Sequence, residues 1–197
     1  DKILIIARTT PKDQCAKPYL GLSLFYTDLD PNKIERQPIP KMGRKAVECN
    51  MLYIDGLEVP KDHLIGEEGE GFKYLLQGLN PERVLFAVES IGLGFSALER
   101  AATYAKERVV FGRPIGQNQG IQHPLAKSWA ELSAAELLAY KAAGLYDAGQ
   151  DCGAEANSAK YLGTEAGFRA CETAVLTHGG MGYAKEYHVE RMMREAM

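Results

Sequence analysis

Gly71-Phe-Lys-Tyr-Leu-Leu-Gln-Gly-Leu-Asn-Pro-Glu-Arg-Val-Leu-Phe-Ala-Val-Glu-Ser-Ile-Gly-Leu-Gly-Phe-Ser-Ala-Leu-Glu-Arg-Ala-Ala-Thr-Tyr-Ala-Lys-Glu-Arg-Val-Val-Phe-Gly-Arg-Pro-Ile115 is the stretch on which the fold turns. Within it Val84, Val88, Ile91, Phe95, Leu98, Ala102 and Ala105 recur at steps of four and three, the apolar face of a long amphipathic helix. Asn80 suits an N-cap there and Pro81 the first helical position, where a missing N–H costs nothing. Gly112 and Pro114 are the stop signals after Glu107. The chain reads as strand-rich before this helix and helix-rich after it.

Before the helix, Lys2 to Arg8 and Tyr19 to Thr27 are short, β-branched and aromatic, and read as strands around the turn-rich segment 9–18. Asp28 to Pro31 is a turn, and Ile34 to Ile39 an edge strand limited by Pro38 and Pro40. Glu48 to Val59 alternates, with Asn50, Leu52 and Ile54 on one face and Cys49, Met51 and Tyr53 on the other. This half is expected to be an antiparallel sheet or a partly open barrel. Pro60 to Gly71, rich in glycine and acid, is the expected linker. Beyond Pro114, residues 116–124 read as a loop into a second helix with the apolar face Leu125, Trp129, Leu132, Ala139 and Tyr146. A third helix, Ala154 to Thr177, carries Tyr161, Phe168, Cys171 and Val175, and a fourth begins near Lys185, with Val189, Met192 and Met193 in helical register. Long amphipathic helices with short connections must bury their stripes against one another, so the fold class is α+β: the sheet or partial barrel over residues 1–70, then an antiparallel four-helix bundle over 71–197.

The bulk numbers fit an ordinary globular protein: 197 residues, 46% hydrophobic and 25% charged. A net charge of −3 with no basic run interleaved by aromatics offers nothing to a nucleic acid. Cys15, Cys49, Cys152 and Cys171 are scattered without a CxxC pair and read as reduced thiols. No apolar run approaches the roughly 18 residues of a membrane span, and no signal peptide is visible. A chain that opens at Asp1 inside what reads as a strand is expected to be part of a longer one.

The chemistry-bearing candidates cluster at the two ends of the long helix. Glu82, in the expected first turn, either complements the helix dipole or serves as a general base in a cavity whose low polarity favours the protonated form. Arg83 lies about 100° further round and is open to an anionic ligand or a core ion pair. Arg108, Phe111, Arg113 and Gln119 gather where the helix ends, and guanidinium groups flanking an aromatic residue can hold a phosphate-bearing ligand or merely satisfy helix carbonyls. His178-Gly-Gly-Met-Gly-Tyr183 has more glycine than a C-cap needs, which close approach of a ligand would explain. His63, His123, His178 and His188 show no zinc spacing. Glu186, His188 and Glu190 read as a solvated face, and Met192 and Met193 as core filler.

Taken together and in order, Asn80-Pro-Glu-Arg-Val-Leu-Phe-Ala87, Tyr104 to Gln122, and Thr177-His-Gly-Gly-Met-Gly-Tyr-Ala184 with its continuation to Glu195 resemble the acyl-CoA dehydrogenase family of flavoproteins. The likeness covers the whole chain, from the later strands of the family's middle β domain into its C-terminal helical domain, roughly half of a typical member. It implies abstraction of an α-proton from an acyl-CoA thioester, with the β-hydride passing to FAD. In members similar to the isovaleryl and long-chain enzymes the base lies in a Pro-Glu-Arg-like sequence, here Glu82, with Asn80 and Arg83 on the substrate side. Others place the base in a later Glu-Gly-Thr motif, beyond Met197. The resemblance likewise implies FAD contacts from Arg108, Phe111 and Gln119 to the pyrophosphate and adenosine, and from Leu176, Thr177, His178, Gly179 and Gly180 to the ADP part. In the family such groups reach the flavin of the neighbouring subunit. Leu176 departs from the amide side chain often found at its position. The partners implied are an electron-transferring flavoprotein as acceptor and further copies of the chain, as homodimer or homotetramer through the bundle, in a bacterial cytoplasm or mitochondrial matrix. A non-catalytic oligomerisation module holding no flavin and an acyl-CoA oxidase are the competing expectations.

Overall fold

The computed structural model of the chain describes residues 1–197. They divide into two compact units, residues 1–41 with 45–79, and residues 42–44 with 80–197.

In the first unit, β1 (Lys2–Arg8) pairs antiparallel with β2 (Leu22–Asp28), in register from Lys2 opposite Asp28 to Arg8 opposite Leu22. A second pair, β3 (Ile34–Pro38) and β4 (Asn50–Ile54), runs from Ile34 opposite Ile54 to Pro38 opposite Asn50. These are small antiparallel sheets and not a closed barrel. The alternation expected in β4 has no inner face within this chain, since Met51, Leu52, Tyr53 and Ile54 are all exposed.

The expected linker 60–71 is partly ordered structure, which is a correction. Lys61–His63 forms a single 3₁₀ turn, and β5 (Leu64–Ile65) adds to the free edge of β2 through Leu24 and Phe25. Ser23, fully buried on β2, fixes the segment: its Oγ accepts the Gly69 N–H at 2.8 Å and lies 2.7 Å from Thr9 Oγ1. Gly71 follows because the backbone of β2 passes so closely that a Cβ there would stand 2.5 Å from the amide nitrogen of Leu24. Arg8 closes the loop between β1 and β2, donating to the carbonyls of Pro18 at 2.7 Å and Leu20 at 2.9 Å.

The long helix α1 (Gly71–Glu107) starts earlier than its cap signals suggested. Pro81 lies inside it, so Asn80 is no N-cap and Glu82 is no first-turn residue. One proline removes only the bond to the carbonyl of Gln77, and nine residues of helix already stand in front of Asn80, so the cost is local. The same applies to α2 (Gln119–Asp147), which takes in residues expected in a loop and contains Pro124. α3 (Gly153–His178) is followed by a 3₁₀ turn over Gly179–Tyr183, and α4 (Val189–Glu195) begins later than Lys185.

The faces these helices bury differ from the expected stripes. Val84, Ile91, Leu98 and Ala105 of α1 are buried as expected, but Val88 is exposed. On α2 the buried side is Ser128, Leu132, Ala135, Ala139 and Ala142, while Trp129 is 61% exposed and Tyr146 faces solvent. On α3 it is Ala156, Ala159, Gly163, Ala166, Gly167, Ala170 and Ala174, and Tyr161 is 66% exposed. The reason is steric. A Cβ on Gly167 would stand 2.5 Å from Ser90 O, one on Gly163 3.1 Å from Ala87 O, and one on Gly94 3.1 Å from the Gly167 Cα. Backbones this close leave room only for small side chains, so the large apolar residues occupy the periphery. The core they enclose joins Ala87, Ile91 and Leu98 to Leu132, Ala139, Ala166 and Ala170, with a second cluster of Ala97, Ala101, Cys171, Ala174, Val189 and Met192. Ion pairs from Lys141 to Glu155 (3.1 Å) and from Arg169 to Glu131 (3.2 Å) run along the outside of the α2–α3 contact.

Gly167→Ala is expected to destabilise by about 1–3 kcal/mol through overpacking, seen as a lower midpoint in thermal melting. Gly144→Ala, on α2 with nothing within 4 Å of the added methyl, is expected to raise the midpoint by the equivalent of about 0.5–1 kcal/mol. Burial pushes the Cys171 thiol up to about 12 from 9.0. A raised thiol stabilises the folded chain fully below the unfolded value, so stability to urea should fall as pH rises from about 9 towards 12. In the native protein iodoacetamide should modify the exposed Cys49 and spare Cys171.

Candidate functional site

Because α1 continues unbroken through Pro81, the Asn80–Arg83 segment is presented from mid-helix. Asn80, relieved of capping, accepts a hydrogen bond at its Oδ1 from Arg83 Nη1 at 2.9 Å, one turn back along the helix. The Arg83 guanidinium is half-buried, has no carboxylate partner, and keeps most of its five donors unspent. Glu82 is exposed and forms no ion pair, and it is not in the lining of the hollows described below.

At the other end of α1 the structure gathers residues the sequence had singled out separately. A hollow of about 380 Å³ is lined by Tyr104, Arg108, Val110, Ile115, Thr177, His178, Gly179, Gly180 and Met181. Its floor is set by the end of α3. The His178 side chain is buried, its Nδ1–H donates to the Ala174 carbonyl at 2.7 Å, and its ring stacks on Tyr104 with centroids 4.3 Å apart. Tyr187 meets both rings edge-on, at 5.6 Å from Tyr104 and 5.4 Å from His178. Gly179 then turns the chain away at φ 58°, and neither it nor Gly180 has any atom within 4 Å of where a Cβ would stand, so their backbone is open to a ligand. Arg108, exposed and without a carboxylate partner, supplies the positive charge.

Phe111, Gln119 and Leu176 do not line this hollow. Phe111 and Gly112 form the two-residue turn of a hairpin between β6 (Val109–Val110) and β7 (Arg113–Pro114). Both turn residues have positive φ, 54° and 78°, the pattern of a type I′ turn. For phenylalanine that conformation is costly, yet its side chain is wholly exposed. Arg113 is taken up by Asn118, donating to its Oδ1 at 2.7 Å. Gln119 opens α2, and Leu176 is 72% exposed beside the hollow's rim in sequence.

Tyr104 and Tyr187 escaped the sequence reading. The signal was present for Tyr104, which stands four residues before Arg108: the Arg108 N–H bonds the Tyr104 carbonyl at 2.8 Å and so follows on from the last turn of α1. For Tyr187 there was none, because only the 3₁₀ turn after Gly179 brings it back to α3. A separate, apolar hollow of about 400 Å³ in the first unit, between the Tyr19 and Phe72 rings, contains no residue that the sequence had singled out.

Comparison with known proteins gives this geometry its setting. The family model described as the acyl-CoA dehydrogenase C-terminal domain matches residues 69–197. An acyl-CoA dehydrogenase of Mycobacterium bovis is 46% identical over 196 residues, which is 98% of this chain and 50% of that protein. The solved structure of butyryl-CoA dehydrogenase from Megasphaera elsdenii matches all of this chain and 50% of its own with a TM-score of 0.94 at 31% identity. A subunit of the caffeyl-CoA reductase–Etf complex of Acetobacterium woodii is 36% identical over 99% of this chain and 51% of that protein. The chain spans about half the length of these relatives. With the helical unit matched across its length and the Asn80–Arg83 segment and the glycine-rich hollow in the matched region, the chain belongs to the acyl-CoA dehydrogenase family, and residues 69–197 are that family's C-terminal domain.

Proposed function

We propose that the protein of which these residues form part dehydrogenates an acyl-CoA thioester between its α and β carbons with FAD as cofactor. The observation that carries this reading is the hollow that brings Arg108 together with Thr177, His178, Gly179 and Gly180. An unpaired guanidinium beside two glycines with open backbone fits the diphosphate of a dinucleotide, so the donor set suits FAD. Arg108 and the Thr177–Gly180 backbone would hold its ADP part, with Phe111 and Gln119 at the adenosine side. When bound, FAD supplies the acceptor for the β-hydride.

Glu82 takes the α-proton onto its carboxylate, leaving the electron pair to form the α,β double bond as the β-hydride departs. Arg83 and Asn80 lie on the thioester's side of the base, where the spare guanidinium donors meet the polar part of the substrate. An exposed carboxylate is a poor base, so the dry cover over Glu82 must come from polypeptide that the relatives have and residues 1–197 do not include. From Glu82 to the end of α1 the helix rises about 38 Å. That distance is too great for one ligand to serve both ends, which supports a homo-oligomer in which the hollow holds the flavin of a neighbouring copy. The exposed Phe111, Leu176 and Tyr183, at 101%, 72% and 91%, are the apolar surface such a neighbour would cover. The Etf named in the Acetobacterium woodii relative supports an electron-transferring flavoprotein as acceptor. No helix is long and apolar enough to cross a membrane, and the relatives named above are bacterial, which favours a bacterial over a mitochondrial setting.

In the full-length protein Glu82→Gln should retain flavin and lose α-proton exchange by roughly 10²-fold or more, measured as deuterium uptake into the acyl-CoA. Exchange at the parental rate would remove Glu82 as the base. Phe111→Asn should relieve the strained turn and stabilise the hairpin by about 1 kcal/mol while weakening FAD binding, read by flavin fluorescence titration. Unchanged FAD affinity would separate Phe111 from the cofactor.

A further inference from the structure

We infer that Tyr187 is a positioning residue for the cofactor: it latches the His178 ring against Tyr104 and so sets the spacing between Arg108 and the open Gly179–Gly180 backbone. The inference rests on the reading of that hollow as the FAD site. The two sides of the hollow come from different helices. Arg108 follows the last turn of α1, its N–H bonded to the Tyr104 carbonyl, and Gly179 follows the last turn of α3. Between them runs the stack of Tyr104 on His178, with the ring planes 22° from parallel. The bond from His178 Nδ1 to the Ala174 carbonyl ties one edge of the imidazole to its own helix. Tyr187, which does not line the hollow, closes on the pair from a third direction, its plane at 86° to Tyr104 and 65° to His178. Edge-to-face contact of this kind is an arrangement that ring quadrupoles favour.

The wall formed by these rings has space on its other side as well. A second hollow, of about 460 Å³, is lined by the same three rings together with Ser96, Arg100 and Glu186, so a ring that lost its neighbour has room to swing. Tyr187 itself is delivered by a segment outside the long helices. The 3₁₀ turn over Gly179–Tyr183 presses Gly182 onto α3, where a Cβ would collide with the Val175 carbonyl, and Val189 is buried at the start of α4. Between these anchors the chain makes two tight turns, Ala184 N–H to Met181 O and Tyr187 N–H to Ala184 O, both at 3.1 Å. Neither tyrosine hydroxyl bonds any group of the chain, so the grip is made by ring faces and edges. A short segment held by ring contacts opens more readily than a packed helix. A closed latch that holds Arg108 at the right distance from Gly179 and Gly180 must in turn be held closed by FAD, because coupling between two events is reciprocal.

The test uses the full-length protein, stripped of flavin and titrated with FAD by flavin fluorescence. Tyr187→Leu should weaken FAD binding by about three- to tenfold, with kcat at saturating FAD and the KM for acyl-CoA left at parental values. Tyr187→Phe keeps the ring and should bind FAD as the parent does; a loss as large as that of Tyr187→Leu would put the effect in the hydroxyl and overturn the latch. Amide hydrogen exchange supplies a second reading. FAD should slow exchange over residues 184–188 by about the same factor in the parent, and not in Tyr187→Leu, a linkage that a merely structural role for Tyr187 would not give. Should Tyr187→Leu fail to fold, exchange in the parent decides alone, and no slowing by FAD overturns the inference. Parental FAD affinity in Tyr187→Leu, with weakened affinity in Arg108→Gln, would overturn it too and leave the hollow as the flavin site. Parental affinity in Arg108→Gln would remove flavin from the hollow and overturn both.

Discussion

Ser90 O on α1 and the Cα of Gly167 on α3 face each other across a gap that has no room for a methyl group. Gly163 against Ala87 O and Gly94 against Gly167 repeat the arrangement one turn to either side. Helices that meet backbone to backbone exchange the large hydrophobic payload of leucine and phenylalanine for many short-range dispersion contacts, which fall off steeply with separation. The α1–α3 contact therefore tolerates very little change in side-chain volume. It also fixes where the C-terminal end of α1 stands relative to α3, and so whether Arg108 and the Gly179–Gly180 turn open onto one hollow.

The same close approach explains how α1 can carry a proline without breaking. Pro81 forfeits one main-chain bond, but the helix on its C-terminal side is clamped by buried Val84, Ala87 and Ile91. Tertiary contact outweighs the local preference to end the helix there. Asn80, which in a shorter helix would spend its side chain on capping, is left to orient Arg83. The orientation of Arg83 thus depends on packing a turn or more away.

Much of the layout was legible in the residues. Steps of four and three located α1 and its partners, the strand pairs β1–β2 and β3–β4 stand where the β-branched runs placed them, and the ordered motifs pointed to the family. What misled was the use of large apolar side chains to mark the buried face. Trp129, Tyr146 and Tyr161 fit helical periodicity, yet a bundle built on alanine and glycine has no room for them inside. The cap signal misled at Asn80-Pro81, and the loop reading of 116–124 ran past the start of α2, because a proline inside a packed helix resembles a helix start. Arg108 and the Thr177–Gly180 run could each be singled out, but not their meeting. That depends on the turn at Gly179 and on the His178 ring set between Tyr104 and Tyr187, neither of which has a periodic signature.

The length of α1 has a consequence for inheritance. If its two ends serve different flavins, every copy of the chain lends one half to its own centre and the other to a neighbour's. Two defective alleles, one harming the Glu82 end and one the Arg108 end, would then complement each other in a mixed assembly, where some centres draw both halves from sound sequence. Two alleles harming the same end would not.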